Sequence, residues 1–288
     1  MSKFTSSTMY LLMMLSGMTI VLTANSWFNA WVGLEISLMS FIPLTSMKNK
    51  EYSSEASMKY FIVQTISSIF ILMSMMLMIY SKNIISYIIT SSLIFKCGAA
   101  PLHFWFPNVV EGLDWYQNFL LMTAQKFSPL ILLSLNSEKI NIIMLTAIMS
   151  SAVGAIGGIN ELKTNKMLAF SSINHKCWIL AAMTINNCLW MMYFFVYCLV
   201  LMSVMTLMNY WQISHMSQSS WMPTNSLILI MTTLLSLGGF PPLMGFFPKM
   251  LVMFNMMDLK MFYVSLFFIM MSIITLYFYS RLMFSIIL

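Results

Sequence analysis

The sequence predicts an all-α polytopic membrane protein of about ten transmembrane helices in two inverted five-helix repeats. Of its 288 residues, 60% are apolar and only 8% are charged, whereas soluble domains carry about a quarter charged residues. Mean hydropathy is +0.84. Because lipid cannot satisfy open backbone polar groups, helices are the only plausible spans, and each needs about 20 apolar residues. A Gly/Pro motif that occurs once in each half of the chain predicts the repeat.

Ten apolar segments follow one another with short connections. We predict spans at residues 8–24, 28–46, 59–80, 84–107, 116–135, 140–159, 167–185, 188–210, 224–252 and 261–286. The chain, residues 1–288, would form a single membrane domain, with repeat one at about 1–139 and repeat two at about 140–288. One set of loops carries more basic residues than the other, which places both termini on the more basic side of the membrane.

The repeated motif predicts two broken helices. It covers residues 98–107 and 239–248, and Gly, Pro, Leu, Phe and Pro keep the same offsets in both copies. Proline lacks a backbone donor and crowds the preceding turn, so the fourth and ninth spans should be interrupted near residues 98–101 and 238–242. The breaks are five spans apart, and this odd offset predicts that the halves are inverted. Matched breaks of this kind are typical of transporters.

Four ionisable side chains fall inside predicted spans, each on a different one. They are Glu35, Lys96, Lys126 and Lys249. Such a group near the bilayer centre costs about 2.5–3.5 kcal/mol on insertion scales and should face a partner or water. Titratable groups on separate helices are what a proton relay needs. The alternatives are a Glu35–Lys96 pair that only locks helices, a snorkelling Lys96, a Lys126 tied to a proline-freed carbonyl, and Lys249 as an interfacial anchor.

The remaining polar residues give weaker indications. His103 lies inside the first break and is a possible relay residue, or it could simply bond to freed backbone groups. His175 and Lys176 are helical neighbours that point about 100° apart, so at most one can face a given channel, and a local polar contact is favoured. The four cysteines are expected to be small buried thiols. Without paired cysteines, a phosphate-binding glycine loop or a basic cluster, the sequence indicates no metal, cofactor or nucleic-acid site.

Seven motifs, in order along the chain, resemble one family. They are WVGLE at 31–35, SSEASMKYF at 53–61, KCGAAPLHFWFP at 96–107, QKFSP at 125–129, KMLAFSSINH at 166–175, LLSLGGFPPLMGFFPK at 234–249 and LYFYSRL at 276–282. The chain is similar over nearly its whole length to the chain 2 family of mitochondrial NADH:ubiquinone oxidoreductase, respiratory complex I, of insects or related invertebrates. Its 34 methionines and single arginine resemble the product of an AT-rich mitochondrial genome.

The resemblance implies an antiporter-like membrane-arm subunit of the mitochondrial inner membrane, with discontinuous helices. In a mitochondrion the more basic side of the membrane is the matrix, so the loop charges place both termini there. It implies no cofactor in this chain, since NADH, flavin, iron–sulfur clusters and ubiquinone would be bound by other subunits. Its partners would be other complex I subunits, especially chains 4 and 4L, and membrane lipid, but no nucleic acid. The buried glutamate of the family falls on Glu35 and its buried lysines on Lys96, Lys126 and Lys249. Charge moving toward Glu35 and Lys96 would then alter the protonation of Lys126 and afterwards of Lys249.

Two other functions stay open on the sequence. A stand-alone cation/proton antiporter shares the same ancestral fold, and a purely structural subunit would space its neighbours without conducting protons. The sequence also departs from the family pattern, because Lys176 and Cys177 stand where the family usually has Met-Gly or Leu-Gly. The family usually continues past LYFYSRL to one more helix.

Overall fold

A computed structural model describes residues 2–46, 51–77, 82–136, 140–215, 218 and 223–287. Every regular element within these residues is a helix. The chain divides into two compact units, the first comprising Met1–Gly98 with Leu102–Lys139 and the second Ala99–Pro101 with Ile140–Leu288.

The first unit holds seven helices among its described residues. These are α1 (Ser2–Leu22), α2 (Trp27–Ser46), α3 (Glu51–Met76), α4 (Lys82–Cys97), α5 (Trp105–Gly112), α6 (Trp115–Met122) and α7 (Ala124–Leu135). Helices α1 and α2 approach so closely that a Cβ atom on Gly17 would lie 2.8 Å from the Gly33 carbonyl oxygen. Small residues at such crossings let helix backbones pack without the hydrophobic driving force that water supplies.

The second unit holds six helices among its described residues. These are α8 (Ile140–Ile159), α9 (Thr164–Ile185), α10 (Asn187–Trp211), α11 (Thr224–Gly238), α12 (Phe246–Asp258) and α13 (Phe262–Ile287). Helix α9 is the centre of this unit, because its side chains are buried without interruption from Ser171 to Met183. Gly154 of α8 allows α8 and α9 to approach each other closely, since a Cβ atom on Gly154 would lie 2.6 Å from the backbone nitrogen of Asn174 in α9.

The two breaks have matching backbones. Helix α4 ends at Cys97 and α11 at Gly238, and the next residues, Gly98 and Gly239, have φ angles of 64° and 81°. These left-handed angles favour glycine. A cis X-Pro bond follows in each break, at Ala100–Pro101 and Pro241–Pro242. The second half-helix starts at Trp105 in the first break and at Phe246 in the second, and in both cases its third residue is a proline. The predicted interruptions near residues 98–101 and 238–242 are therefore confirmed.

The helices agree with the predicted spans, with two corrections. Seven described segments are long and apolar enough to cross a membrane, and they coincide with predicted spans 1, 2, 3, 5, 6, 8 and 10. The broken pairs α4/α5 and α11/α12 occupy spans 4 and 9, and the more polar α9 occupies span 7. Helix α3, however, begins at Glu51 rather than at the predicted residue 59. Span 5 is not continuous either, because α6 ends and α7 begins on either side of Thr123.

Candidate functional site

The first unit brings Glu35 of α2 and Lys96 of α4 together, so each of these ionisable groups faces a partner. The Lys96 Nζ atom lies 3.8 Å from Glu35 Oε1, and the two side chains are only 3% and 17% exposed. This separation makes an ion pair without a direct hydrogen bond. Lys96 is also in the last turn of α4, where the partial negative charge of the helix end stabilises a cation. A snorkelling Lys96 is incompatible with this burial.

Helix α3 supplies polar contacts that the sequence reasoning missed. The Gln64 amide donates to the Lys96 carbonyl oxygen at 3.2 Å, a group that the end of α4 leaves without a helical donor. The Tyr60 hydroxyl donates to the Gln125 amide oxygen at 3.1 Å. The Gln125 amide nitrogen in turn donates to the Ser37 carbonyl oxygen at 3.2 Å. These bonds connect the helices that carry Glu35, Lys96 and Lys126.

A sequence signal for this network exists in α3. Its buried face is mostly polar. Polar residues recur there at spacings of three and four from Ser53 through Ser57, Tyr60 and Gln64 to Ser67 and Ser68, and Ser74 follows one turn after the apolar Ile71. This spacing is the helical period that normally marks an apolar core face. A polar stripe at that period in an otherwise apolar span indicates a buried polar interior.

Lys126 lies at the start of α7, directly after the interruption that divides the predicted span 5 into α6 and α7. It is the third residue of α7, and its backbone N–H donates to the Thr123 carbonyl oxygen at 3.1 Å. Its side chain is 4% exposed, and its Nζ atom lies 4.6 Å from the centroid of the Phe106 ring. The Thr123 hydroxyl donates to the Phe119 carbonyl oxygen at 2.7 Å, a local bond that competes with the helical ladder.

Lys249 turns back into the second break. It belongs to α12, yet its Nζ atom donates to the carbonyl oxygen of Gly238, the last residue of α11, at 2.8 Å. The side chain is 4% exposed, so it is not the interfacial anchor that the sequence left open. The ammonium group is thus held at the negative end of α11. A Cβ atom on Gly239 would lie only 2.8 Å from Lys249 Nζ, so the lysine needs the glycine beside it.

The histidines and Lys176 have separate surroundings. His103 is buried and its ring packs on Phe104 with centroids 4.2 Å apart. His175 Nδ1 lies 2.9 Å from the Tyr193 hydroxyl, in the local polar contact favoured from the sequence. A small cavity beside this pair is lined also by Tyr197, Ser236, Gly245 and Pro248. Lys176 is 2% exposed within α9.

The cysteines agree only in part with their prediction. Cys97 and Cys177 are buried, whereas Cys188 is exposed at the start of α10 and Cys198 is half-buried. The expectation of four buried thiols is therefore wrong for Cys188, which is the second residue of α10 and is exposed there. Among the described residues, no three His, Cys, Asp or Glu side chains are gathered where they could hold a metal ion.

Comparison with known proteins identifies the family. Residues 24–275 match the model of the NADH:quinone oxidoreductase/Mrp antiporter transmembrane family. NADH-ubiquinone oxidoreductase chain 2 of Anopheles gambiae is 41% identical over 296 residues, covering 99% of this chain and 86% of the relative. The same-named chain of Locusta migratoria is 36% identical, covering 96% and 84%. The chain belongs to the NADH-ubiquinone oxidoreductase chain 2 family. The resemblance inferred from the seven motifs is confirmed.

Solved structures show the same fold. A chain of respiratory complex I from Thermus thermophilus with bound aureothin matches with a TM-score of 0.89 and 20% identity, covering 98% of this chain and 70% of that chain. A chain of the Mrp complex from Dietzia sp. matches with a TM-score of 0.79 and 15% identity, covering 96% and 59%. These likenesses confirm the predicted antiporter-like, all-α membrane fold with discontinuous helices.

Proposed function

We propose that this chain is a proton-translocating, antiporter-like membrane-arm subunit of respiratory complex I in the mitochondrial inner membrane. Membership of the chain 2 family supports the assignment to that complex, whose other subunits are its partners. Electron transfer from NADH to ubiquinone takes place elsewhere, on subunits that bind NADH, flavin, iron–sulfur clusters and ubiquinone. Chains 4 and 4L are the neighbours we propose in the membrane arm.

The observation that carries the proton-translocating role is the buried ion pair of Glu35 and Lys96. In surroundings of low dielectric, a charge 3.8 Å away strongly affects whether a lysine keeps its proton. Any change in the charge or position of Glu35 therefore changes the proton affinity of Lys96. That sensitivity converts a distant electrostatic event into proton release or uptake.

The other lysines are the later members of the relay. Lys126 is buried at the start of α7 and Lys249 is buried on the end of α11, so each can hold a proton away from lipid. We propose that redistribution of charge toward Glu35 and Lys96 alters Lys126 first and Lys249 afterwards. We include His103 in the first unit as a further relay residue.

Both alternative functions are disfavoured. A stand-alone antiporter does not fit the chain 2 relatives, which are named as chains of an NADH-oxidising enzyme. A purely structural subunit does not account for three buried lysines and a partly buried glutamate at the relay positions, each of which adds an insertion cost that an apolar side chain would avoid.

The direct test replaces Lys96 with methionine in the assembled complex. Vesicles containing the purified complex would be supplied with NADH and ubiquinone, and the proton-to-electron ratio would be measured. We expect Lys96→Met to lower the ratio, because it replaces the proton-binding ammonium group with an apolar side chain of similar length that cannot bind a proton. Lys59→Met is the matched control, since Lys59 is half-exposed and pairs with Glu55 on the surface of α3. An unchanged ratio in both variants, with normal assembly, would leave the structural role as the explanation.

A further inference from the structure

The ring of Phe106 lies beneath the ammonium group of Lys126. The Nζ atom is 4.6 Å from the ring centroid, and both side chains are buried. A cation within about 6 Å of an aromatic face is attracted by the ring quadrupole, and the attraction strengthens when both groups are removed from water. Phe106 is the second residue of α5 and so follows the first break directly.

The position of Lys126 in its helix makes this contact important. As the third residue of α7, it lies in the first turn of the helix, at the end that carries a partial positive charge. A cation is disfavoured there, whereas Lys96 occupies the favourable opposite end of α4. The face of the Phe106 ring supplies negative potential at the place where the helix does not.

Phe106 also packs against the backbone of the first break. A Cβ atom on Gly98 would lie 3.3 Å from the Phe106 Cβ atom and 3.0 Å from the Trp105 ring. Gly98 is two residues after Lys96, which pairs with Glu35. Contiguous packing therefore runs from the ion pair, through the break, to the ring under Lys126. Packed elements with discrete arrangements are the physical means by which one site biases another.

We propose that Phe106 is a positioning residue of the relay: its ring holds the ammonium group of Lys126 and couples that lysine to the geometry of the first break. The proposal rests on the proposed function, because it assigns a role within the same relay. When the break shifts relative to α7, the ring moves with α5, and the favourable contact with Lys126 weakens. The proton of Lys126 then becomes available to the next site.

Two substitutions separate the ring face from the space that it fills. Phe106→Leu keeps an apolar side chain but removes the aromatic face, whereas Phe106→Tyr keeps the face. In vesicles containing the assembled complex, we expect Phe106→Leu to lower the proton-to-electron ratio and Phe106→Tyr to retain it. Phe268→Leu is the control for loss of a buried ring, because Phe268 packs on Trp178 in the second unit. It should leave the ratio unchanged.

The outcomes distinguish this inference from the function on which it rests. If Lys126→Met leaves the ratio unchanged, the relay itself is wrong. If Lys126→Met lowers the ratio while Phe106→Leu does not, only the role of Phe106 is wrong. Equal losses in Phe106→Leu and Phe106→Tyr would also overturn it, since the ring face would then be irrelevant. Should Phe106→Leu fail to assemble, Phe106→Met, whose flexible side chain fills irregular space, takes its place. Failure of both to assemble, with Phe268→Leu assembling normally, would show a structural role and overturn the proposal.

Discussion

At the first break the lysine precedes the interruption and faces a carboxylate, whereas at the second break it follows the interruption and bonds to a carbonyl. Lys96 is part of α4 and lies 3.8 Å from Glu35. Lys249 is part of α12 and donates to the Gly238 carbonyl oxygen at 2.8 Å. Both ammonium groups are associated with the C-terminal end of the first half-helix of their break. The repeated backbone thus places a helix C-terminus with its partial negative charge in each break. A lysine from before the break occupies the first, and a lysine from after the break occupies the second.

The difference separates a responsive site from an anchored one. Lys96 depends on a side chain whose charge can change, while Lys249 depends on a backbone dipole that cannot. In the first unit, Lys96 forms an ion pair with the carboxylate of Glu35. In the second unit, no carboxylate among the described residues forms an ion pair with Lys249. We therefore expect the first unit to sense charge and the second to hold and release a proton by movement of the lysine. Each prediction below tests one side of this comparison.

The largest effect on stability should come from Glu35→Gln. Breaking a buried ion pair by removing one partner costs about 3–5 kcal/mol, because it leaves an uncompensated charge, and the partial exposure of Glu35 favours the lower end. Thermal unfolding of the subunit in the purified complex would measure this loss. Glu55→Gln is the matched control, since both members of its pair with Lys59 are at least half exposed and such pairs contribute about 0–1 kcal/mol. Equal shifts in both variants would refute a buried, interacting pair.

A smaller loss of stability should follow from Lys249→Met. The substitution removes a charge-assisted hydrogen bond, which is worth about 1.5–3 kcal/mol, and leaves the Gly238 carbonyl without its donor. The same thermal unfolding measurement applies. Lys260→Met, at an exposed lysine after α12, should have little effect. A stability equal to that of the unaltered chain would mean that Lys249 does not secure the second break.

Gly239→Ala should displace Lys249 without removing it. The residue has φ 81°, a left-handed angle, which costs a residue with a Cβ atom about 1–2 kcal/mol. The added Cβ atom would also lie 2.8 Å from Lys249 Nζ. Gly238→Ala provides the control one residue away, because a Cβ atom there would meet nothing closer than 3.4 Å. We expect proton translocation to fall in Gly239→Ala alone, measured in vesicles, and equal activity of the two variants would contradict the crowding argument.

The smallest effect should come from Gln64→Leu. It removes the donor to the Lys96 carbonyl oxygen, and a typical hydrogen bond contributes about 0.5–1.5 kcal/mol. Because Lys96 keeps Glu35, the proton-to-electron ratio should change less than in Glu35→Gln. A larger loss of ratio in Gln64→Leu than in Glu35→Gln would shift the centre of the first site from the ion pair to the amide.

Local sequence rules predicted much of this architecture and missed identifiable parts of it. Hydropathy and the two Gly/Pro copies predicted the broken helices, since both signals depend on residues close in sequence. The interruption at Thr123 has no glycine or proline beside it, and Pro129, the nearest breaker, lies inside α7. Composition could not reveal it, because the threonine hydroxyl that bonds to the Phe119 carbonyl there makes the same kind of bond inside continuous helices, as Thr90 does in α4.

Equivalent residues in the two copies of the motif also have different surroundings. Phe106 of the first copy is buried against Lys126, whereas Phe247 of the second copy is 57% exposed. Identity of residue type therefore predicts the backbone of the break but not the contacts of its side chains. Those contacts depend on helices far away in sequence, and for the same reason the fold-back of Lys249 onto Gly238 could not be predicted.

The proton-to-electron ratio of the assembled complex, compared between Glu35→Gln and Lys249→Met, tests the central claim most directly. Both variants keep side chains of similar size, so assembly and oxidation of NADH should persist. We predict a lower ratio in each, because one removes the charge that controls Lys96 and the other removes a proton-binding group. An unchanged ratio in both variants, in complexes that assemble and oxidise NADH normally, would contradict the relay and leave this chain as a structural subunit.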